Sequence, residues 1–312
     1  MIPLAPAIAV RPLIDSDAGA LAELLNPLVA TVPYSSEIDA TTVLREIMAA
    51  SPPTIFPVRW QQPGQQLGAW RAGQLVGFLD AGVGVDRDNL HLPDYQSLGL
   101  IRFLALPDRA ELVGEVAHAL FTAVLAFWQK TGVAHVQACH ISTGYPSVHL
   151  GAGILAGEWA DQVRVFTAQG FQFTERYYCL HRTLPEAFEE FVPGPDLSLA
   201  HRGRAGERLY QLYFRRTDWV AQARVVGRRV ARTLDPRRIA YVTELHVHPQ
   251  WQQQNIGRWL LRRMINDAGL EGYHELVVHI NSHQHAAMNL FVQHGFEELN
   301  YRGYSLDMAL RE

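Results

Sequence analysis

The chain has 312 residues, 48% of them hydrophobic, and a formal net charge of −4. That length predicts two domains of about 150 residues, and the mild acidity gives no general reason to expect nucleic acid or an anionic membrane as partner. Cys139 and Cys179 do not make a disulfide framework, no basic-headed signal peptide is read in residues 1–10, and no run approaches the roughly 18 apolar residues of a membrane span; a cytoplasmic location is expected.

Val10, Arg11 and Pro12 start a strand, and Asp15 or Ser16 is expected to cap a helix running through Leu25. Residues 100–106, closed by Pro107, read as a second strand, and a long apolar helix is predicted over 110–128. Gly144, Gly151, Gly153 and Gly157 mark a loop. A helix then ends at Gly170-Phe171, and a polar, aromatic strand follows from Phe173. Pro185, Pro193, Gly194 and Pro195, with Glu186, Glu189 and Glu190, make residues 184–197 an acidic linker. After it strands come directly, with no opening helices. Arginine is dense from Arg202 to Arg238, with pairs at 228–229 and 237–238; solvated strand edges account for it, and a patch for phosphates or an anionic acceptor is the functional alternative.

Residues 242–261 read VTELHVHPQWQQQNIGRWLL. An alternating β-branched run ends at Pro249, a polar loop follows, and an amphipathic helix starts near Gly257. Free N–H groups and the positive end of the helix dipole gather at such a place and suit a phosphate. Residues 276–281 read as a buried strand; Ala287, Leu290, Phe291 and His294 then fall at helical spacing before Gly295-Phe296. His279, His283 and His285, with His274 and His294 near them, carry no cysteine or acidic partner at metal-ligand spacing, and no metal is expected.

The chain repeats itself. Residues 165–171, VFTAQGF, align without gaps on 290–296, LFVQHGF, and both are followed by an aromatic strand. Pro107 corresponds to Pro249, and the first copy is about 17 residues longer from there to its Phe166, with 144–157 as the insertion. The first copy also has Asp108 and Glu111 where the second has glutamines, and acids at that place repel a pyrophosphate.

The spacing of Gln252, Asn255 and Gly257, Q-x-x-N-x-G after a V-x-P strand end, resembles the acyl-CoA motif of the GNAT N-acyltransferases, and NLFVQHGF is similar to that family's LYxxxGF ending. Asn255 stands where the family commonly has glycine, and asparagine tolerates left-handed backbone angles. The resemblance implies an α/β (α+β) fold of two GNAT-like domains, each a mixed, mainly antiparallel sheet flanked by helices: a degenerate copy in 1–185 and an acetyl-CoA-binding copy in 196–312. It implies an N-acetyltransferase, with acetyl-CoA as donor, an amine as acceptor and direct attack in a ternary complex. Leu245 and Val247 would meet the acyl and pantetheine groups. Gln252, Gln253, Gln254, Asn255, Ile256, Gly257 and Arg258 would surround the diphosphate, with Gln284 and Phe291 along the pantetheine arm. Glu244 is the expected base and His246 the second choice; strand alternation puts both on one face. Phe291 replaces the family's proton-donating tyrosine, leaving Tyr273, Tyr301 and Tyr304 as unplaced donors and a non-catalytic acyl-CoA-binding or regulatory module as the alternative function.

Overall fold

The computed structural model describes residues 7–50, 52–56, 60–84, 97–184, 187–204, 206–230 and 237–310. In chain order the elements are β1 (Ala9–Pro12), α1 (Ala18–Ala30), α2 (Ala40–Glu46), β2 (Trp60–Arg71), β3 (Gln74–Gly84), β4 (Leu98–Ala105), α3 (Ala110–Thr131), β5 (His135–Ala138), β6 (Leu155–Ala156), α4 (Ala160–Ala168), β7 (Gln172–Thr183), β8 (Leu197–Arg204), β9 (Glu207–Phe214), β10 (Asp218–Val230), β11 (Arg237–Val247), α5 (Ile256–Leu270), β12 (Glu275–Asn281), α6 (His285–Val292) and β13 (Glu297–Ala309).

The chain forms two compact units. One is Met1–Arg176 with Arg302–Glu312; the other is Tyr177–Tyr301. These units are not the sequential halves 1–185 and 196–312. In the first, strands run β1-β2-β3-β4-β5 and the end of β13 closes the row, pairing Leu306 with Ala138 and Ala309 with His135. In the second, the row is β7-β12-β11-β10-β9-β8, with Tyr177 to Thr183 of β7 antiparallel to β12. Each sheet therefore takes its closing strand from the other repeat. Both rows are antiparallel except for one parallel pair each, β4 with β5 and β11 with β12.

In the first unit the opening helix is longer than the sequence suggested. Asp17, rather than Asp15 or Ser16, holds its entry: the Asp17 carboxylate accepts from Ile14 N at 2.9 Å and from Arg11 at 2.6 Å. The helix then runs past Leu25 to Ala30 with Pro27 inside it. Helix α3 is long and apolar enough to cross a membrane by composition, but its buried residues fall on one stripe (Leu112, Val116, Leu120, Val124, Trp128) that packs on β2 and β3. It ends at Gly132, whose φ of +67° is the left-handed turn expected there.

In the second unit α5 lies on β10 and β11. Its Trp259, Leu260, Met264 and Ile265 join Tyr210, Ala221, Ala223, Val242, Leu276 and Phe296 in one core. The linker is fastened to this helix. The Asn266 side chain accepts from Phe188 N and donates to Phe188 O, both at 2.8 Å, and Glu190 takes a further bond from it at 2.7 Å. Pro185, Glu186 and residues 1–6 lie outside the described residues. Cys139 and Cys179 are buried free thiols, and burial pushes the Cys139 thiol up to about 12.

A splayed strand pair and its counterpart in the first unit

Parallel pairing between β11 and β12 ends at Val242 opposite Val278. Beyond that point β12 continues against β7, while β11 stays with β10 as far as Val247 opposite Ala221. The two parallel strands thus part company, and a bulge makes the turn-away: Arg224 pairs with Glu244 and Val225 with Val242, so Thr243 is the extra residue. His248 N donates to Val220 O at 2.9 Å. N–H directions alternate along a strand, so those of Leu245 and Val247 point the other way, to the opened edge. This edge presents backbone donors of the kind that a carbonyl or an amide-bearing chain accepts from.

The loop from β11 to α5 lies at the end of this edge. Gln253 and Asn255 both have a φ of +61°, and Asn255 sits at the helix cap with ψ of 9°. Asparagine tolerates that conformation better than most residues, which answers the missing glycine. The N–H groups of residues 253–258 have no backbone acceptor among the described residues. Gln252 Nε2 donates to Val247 O at 3.1 Å, tying the loop to the splayed strand, and Gln254 Nε2 does the same to Gln250 O at 3.2 Å. A Cβ on Gly257 would sit 3.6 Å from Leu290 and 3.7 Å from Val247: room for a methyl group, with the loop, α6 and the strand all converging on one point. Ile256 is buried and Arg258 exposed.

Glu244 and His246 share the opposite, polar face of the sheet. The Glu244 carboxylate accepts from Gln222 Nε2 at 2.9 and 3.0 Å, and Gln222 Oε1 accepts from Gln211 Nε2 at 3.0 Å. The His246 ring stacks on Trp219, 5.3 Å between centroids and 7° between planes. Neither glutamine nor the tryptophan was singled out from sequence; the alternation of Gln222 with Ala221 and Ala223 in β10 is the signal that puts it on the polar face.

The other predicted residues fall as follows. Gln284 caps the β12–α6 turn, its Oε1 accepting from Asn281 N at 3.2 Å. Phe291 is 2% exposed and meets Phe296 edge-on at 4.9 Å, so its ring belongs to the core. Tyr273 lies at the far end of β10, against Gly227 and Arg238; Tyr304 pairs with β6 in the first unit; Tyr301 is buried. Among the histidines, His279 meets the Tyr241 hydroxyl at 2.8 Å and His274 accepts from Arg238 N at 3.1 Å. His294 Nδ1 bonds Leu290 O at 2.8 Å, and burial above all holds its imidazole below the ordinary range. Arg237 bonds Glu275 at 2.6 Å and is ten residues from Val247, about 30 Å along a strand. The paired arginines are therefore too far from the splayed edge to serve phosphates bound there.

The first unit repeats this strand geometry and buries a charged cluster at its bulge. Parallel pairing of β4 and β5 ends at Ile101 opposite Ala138, and Arg102 is the bulged residue, with Asp80 pairing Phe103 and Ala81 pairing Ile101. In this register Pro107 corresponds to His248, one residue short of Pro249. Arg102 is buried, donating to Thr143 O at 2.9 Å and to Asp80 at 3.2 Å. Tyr145 donates to the same carboxylate at 2.6 Å, and its ring lies 4.5 Å from the guanidinium. Burial pushes the Asp80 carboxyl up, against the pull of Arg102, Tyr145 and Gln66. Twenty-one residues (139–159) separate β5 from α4, where three (282–284) separate β12 from α6. The extra segment folds tightly on itself: a Cβ on Gly144 would lie 2.5 Å from Gly151 O and Gly153 N. No residue from 107 to 110 has a positive φ, so the cradle of the second unit is not repeated.

Residues 179–296 match the family model described as the acetyltransferase (GNAT) family. No curated protein matches the chain in sequence. Among solved structures, a tandem GNAT protein from the clavulanic acid biosynthesis pathway superposes with a TM-score of 0.65 at 13% identity, over 97% of this chain and 98% of that one. A GCN5-related N-acetyltransferase from Sphaerobacter thermophilus gives 0.63 at 12%, over 98% and 96%. A probable N-acyltransferase from Enterococcus faecalis gives 0.54 at 10%, over 97% and 72%. At these identities the likeness is one of fold, and it extends over both repeats.

Proposed function

We propose that this chain, whose residues 179–296 match the acetyltransferase (GNAT) family model and whose fold over both repeats is that of tandem GNAT proteins, is an N-acetyltransferase that passes the acetyl group of acetyl-CoA to a primary amine in a ternary complex. Its one donor site is the splayed edge of the second unit, and the first unit is a copy that has lost this site. The observation that carries the reading is the parting of β11 from β12 after Val242, with Leu245 and Val247 N–H groups facing the gap and the 253–258 N–H groups at its end.

In this reading the diphosphate binds the loop N–H groups and the dipole of α5. The thioester carbonyl accepts from the strand, which stabilises the oxyanion as it forms. A neutral amine attacks the carbonyl carbon; the C–N bond forms, the C–S bond breaks, and the thiolate leaves on CoA. Glu244 takes the amine proton directly or through a water. A thiol of pKa about 8.5 leaves tolerably as thiolate, so the phenyl ring of Phe291 does not bar the reaction. The first copy buries Arg102, Asp80 and Tyr145 beside its strand bulge and has no left-handed residue from 107 to 110, and both features support an inactive first site. We place the working copy in 196–312 completed by β7, and the chain in the cytoplasm.

The second reading, a non-catalytic acyl-CoA-binding or regulatory module, is favoured by one observation, the absence of a proton donor at the buried Phe291. Calorimetric titration of the intact protein with acetyl-CoA tests the donor site. One site per chain is expected, two would overturn the inactive first copy, and none would overturn the function. Turnover with an amine panel then separates enzyme from module.

A further inference from the structure

The polar face beside the splayed edge carries more than a base. Trp219 is 38% exposed at the start of β10. It is braced by two rings, His246 in parallel stacking at 5.3 Å and His248 edge-on at 5.9 Å. The part of the indole that the stacked imidazole leaves exposed is a flat aromatic surface, and burying a ring against it exchanges apolar area and π-contact for water. A bulge in β10 puts Trp219 there: Trp219 pairs with Tyr213 and Ala221 with Leu212, so Val220 is extra and turns into the core, while Trp219 joins the face of Gln222.

Glu244 lies two residues from His246 on the same strand, about 7 Å along the face. Its charge is held by an uncharged amide, that of Gln222. Arg224, directly across from it in the register, is ion-paired with Glu207 at 2.7 Å. An ammonium approaching Glu244 therefore meets a carboxylate whose nearest cross-strand cation is already engaged. A carboxylate and a flat aromatic surface separated by this short span match a primary amine joined to a ring by a short aliphatic linker.

We propose that Trp219, stacked on His246, is the specificity-determining residue for the acceptor, and that the acceptor is a primary amine carried on an aromatic group. The inference rests on the acetyltransferase reading of the same site. The ring lies on Trp219, the ammonium reaches Glu244, and loss of its proton aims the nitrogen at the thioester. Trp219 acts by holding the ring and has no part in the bond changes.

The test is steady-state acetylation by the full chain with acetyl-CoA, comparing 2-phenylethylamine, n-hexylamine and spermidine. The platform predicts a preference in kcat/KM of about ten-fold for the aryl amine over hexylamine, the size of one good ring–ring contact. W219L keeps an apolar side chain and removes the ring. It is expected to raise KM for the aryl amine about ten-fold with kcat little changed, to raise it much less for hexylamine, and W219F is expected to restore most of the preference. Equal use of all three amines by the unaltered chain, a preference for spermidine, or an equal loss for both monoamines in W219L would overturn the platform and leave the acetyltransferase standing. Binding of acetyl-CoA with no acetylation of any amine would overturn both.

Discussion

Gln222 gives one side-chain nitrogen to both carboxylate oxygens of Glu244, at 2.9 and 3.0 Å, and is itself oriented by Gln211. The three side chains cross three strands, so the carboxylate is held in place by the sheet. Its orientation is a property of β9, β10 and β11 together, and this makes the base role proposed for Glu244 separable from its neighbours by mutation.

Glu244→Gln removes the basic oxygen and keeps the shape. Turnover should fall about 10²–10⁴-fold, with acetyl-CoA affinity unchanged by calorimetry. Gln222→Leu leaves the carboxylate and removes its support, and should lower kcat by a smaller factor. If both variants matched the unaltered chain, Glu244 would have no part in proton transfer.

Gly257 separates space from charge. A methyl group meets only ordinary contacts at 3.6 and 3.7 Å, so Gly257→Ala should bind acetyl-CoA within a few-fold of the unaltered chain. Gly257→Glu adds length and a negative charge at the helix N-terminus, where an anion is to bind, and should abolish binding in the same titration. Similar affinities for the two variants would remove the loop from the donor site.

His149 makes the first unit sensitive to acid. Burial above all, opposed by its bond to Pro33 O, holds the imidazole at about 4, below the ordinary 6.5. The lowered folded pKa means that the unfolded chain binds the proton more readily. The stabilisation is present above pH 6.5 and is lost as pH falls toward 4, a change of about 3 kcal/mol. Urea unfolding between pH 7 and 4 should show that slope, and His149→Asn should flatten it.

Arg102→Met leaves Asp80 without its cation in a buried site. Breaking a pair of this kind costs about 3–5 kcal/mol. The loss should appear as a lower urea midpoint, and doubling the change with Asp80→Leu should recover part of it. Independent, additive losses would mean that the two side chains do not act as a pair.

Much of the second unit was legible in its sequence. The alternation before Pro249, the helical spacing of Trp259, Leu260 and Met264 and the glycine at 295 are local signals, each set by neighbours in the chain, and they place β11, α5 and the end of α6. Asp15, Ser16 and Asp17 are all competent to open α1, and Arg11 across the turn decides for Asp17. The support of Glu244 by Gln222 and the burial of Arg102 beside Asp80 depend on strand register and on bulges, which no local pattern specifies. The exchange of closing strands is the furthest from local control. β7 and β13 follow the same helix–glycine–phenylalanine ending, so both look like the last strand of their own repeat.

That exchange sets an order of assembly against the order of synthesis. The first unit begins at the N-terminus, yet it ends its sheet with Leu306 to Ala309. The edge of β5 at residues 135–138 therefore waits, unpaired, while some 170 more residues are made, about 10–30 s at ordinary ribosome speeds. The second unit, begun later, has every one of its strands by Tyr301. The second unit can be finished first, and the sheet of the first unit is closed only by residues 306–309, which are made after it.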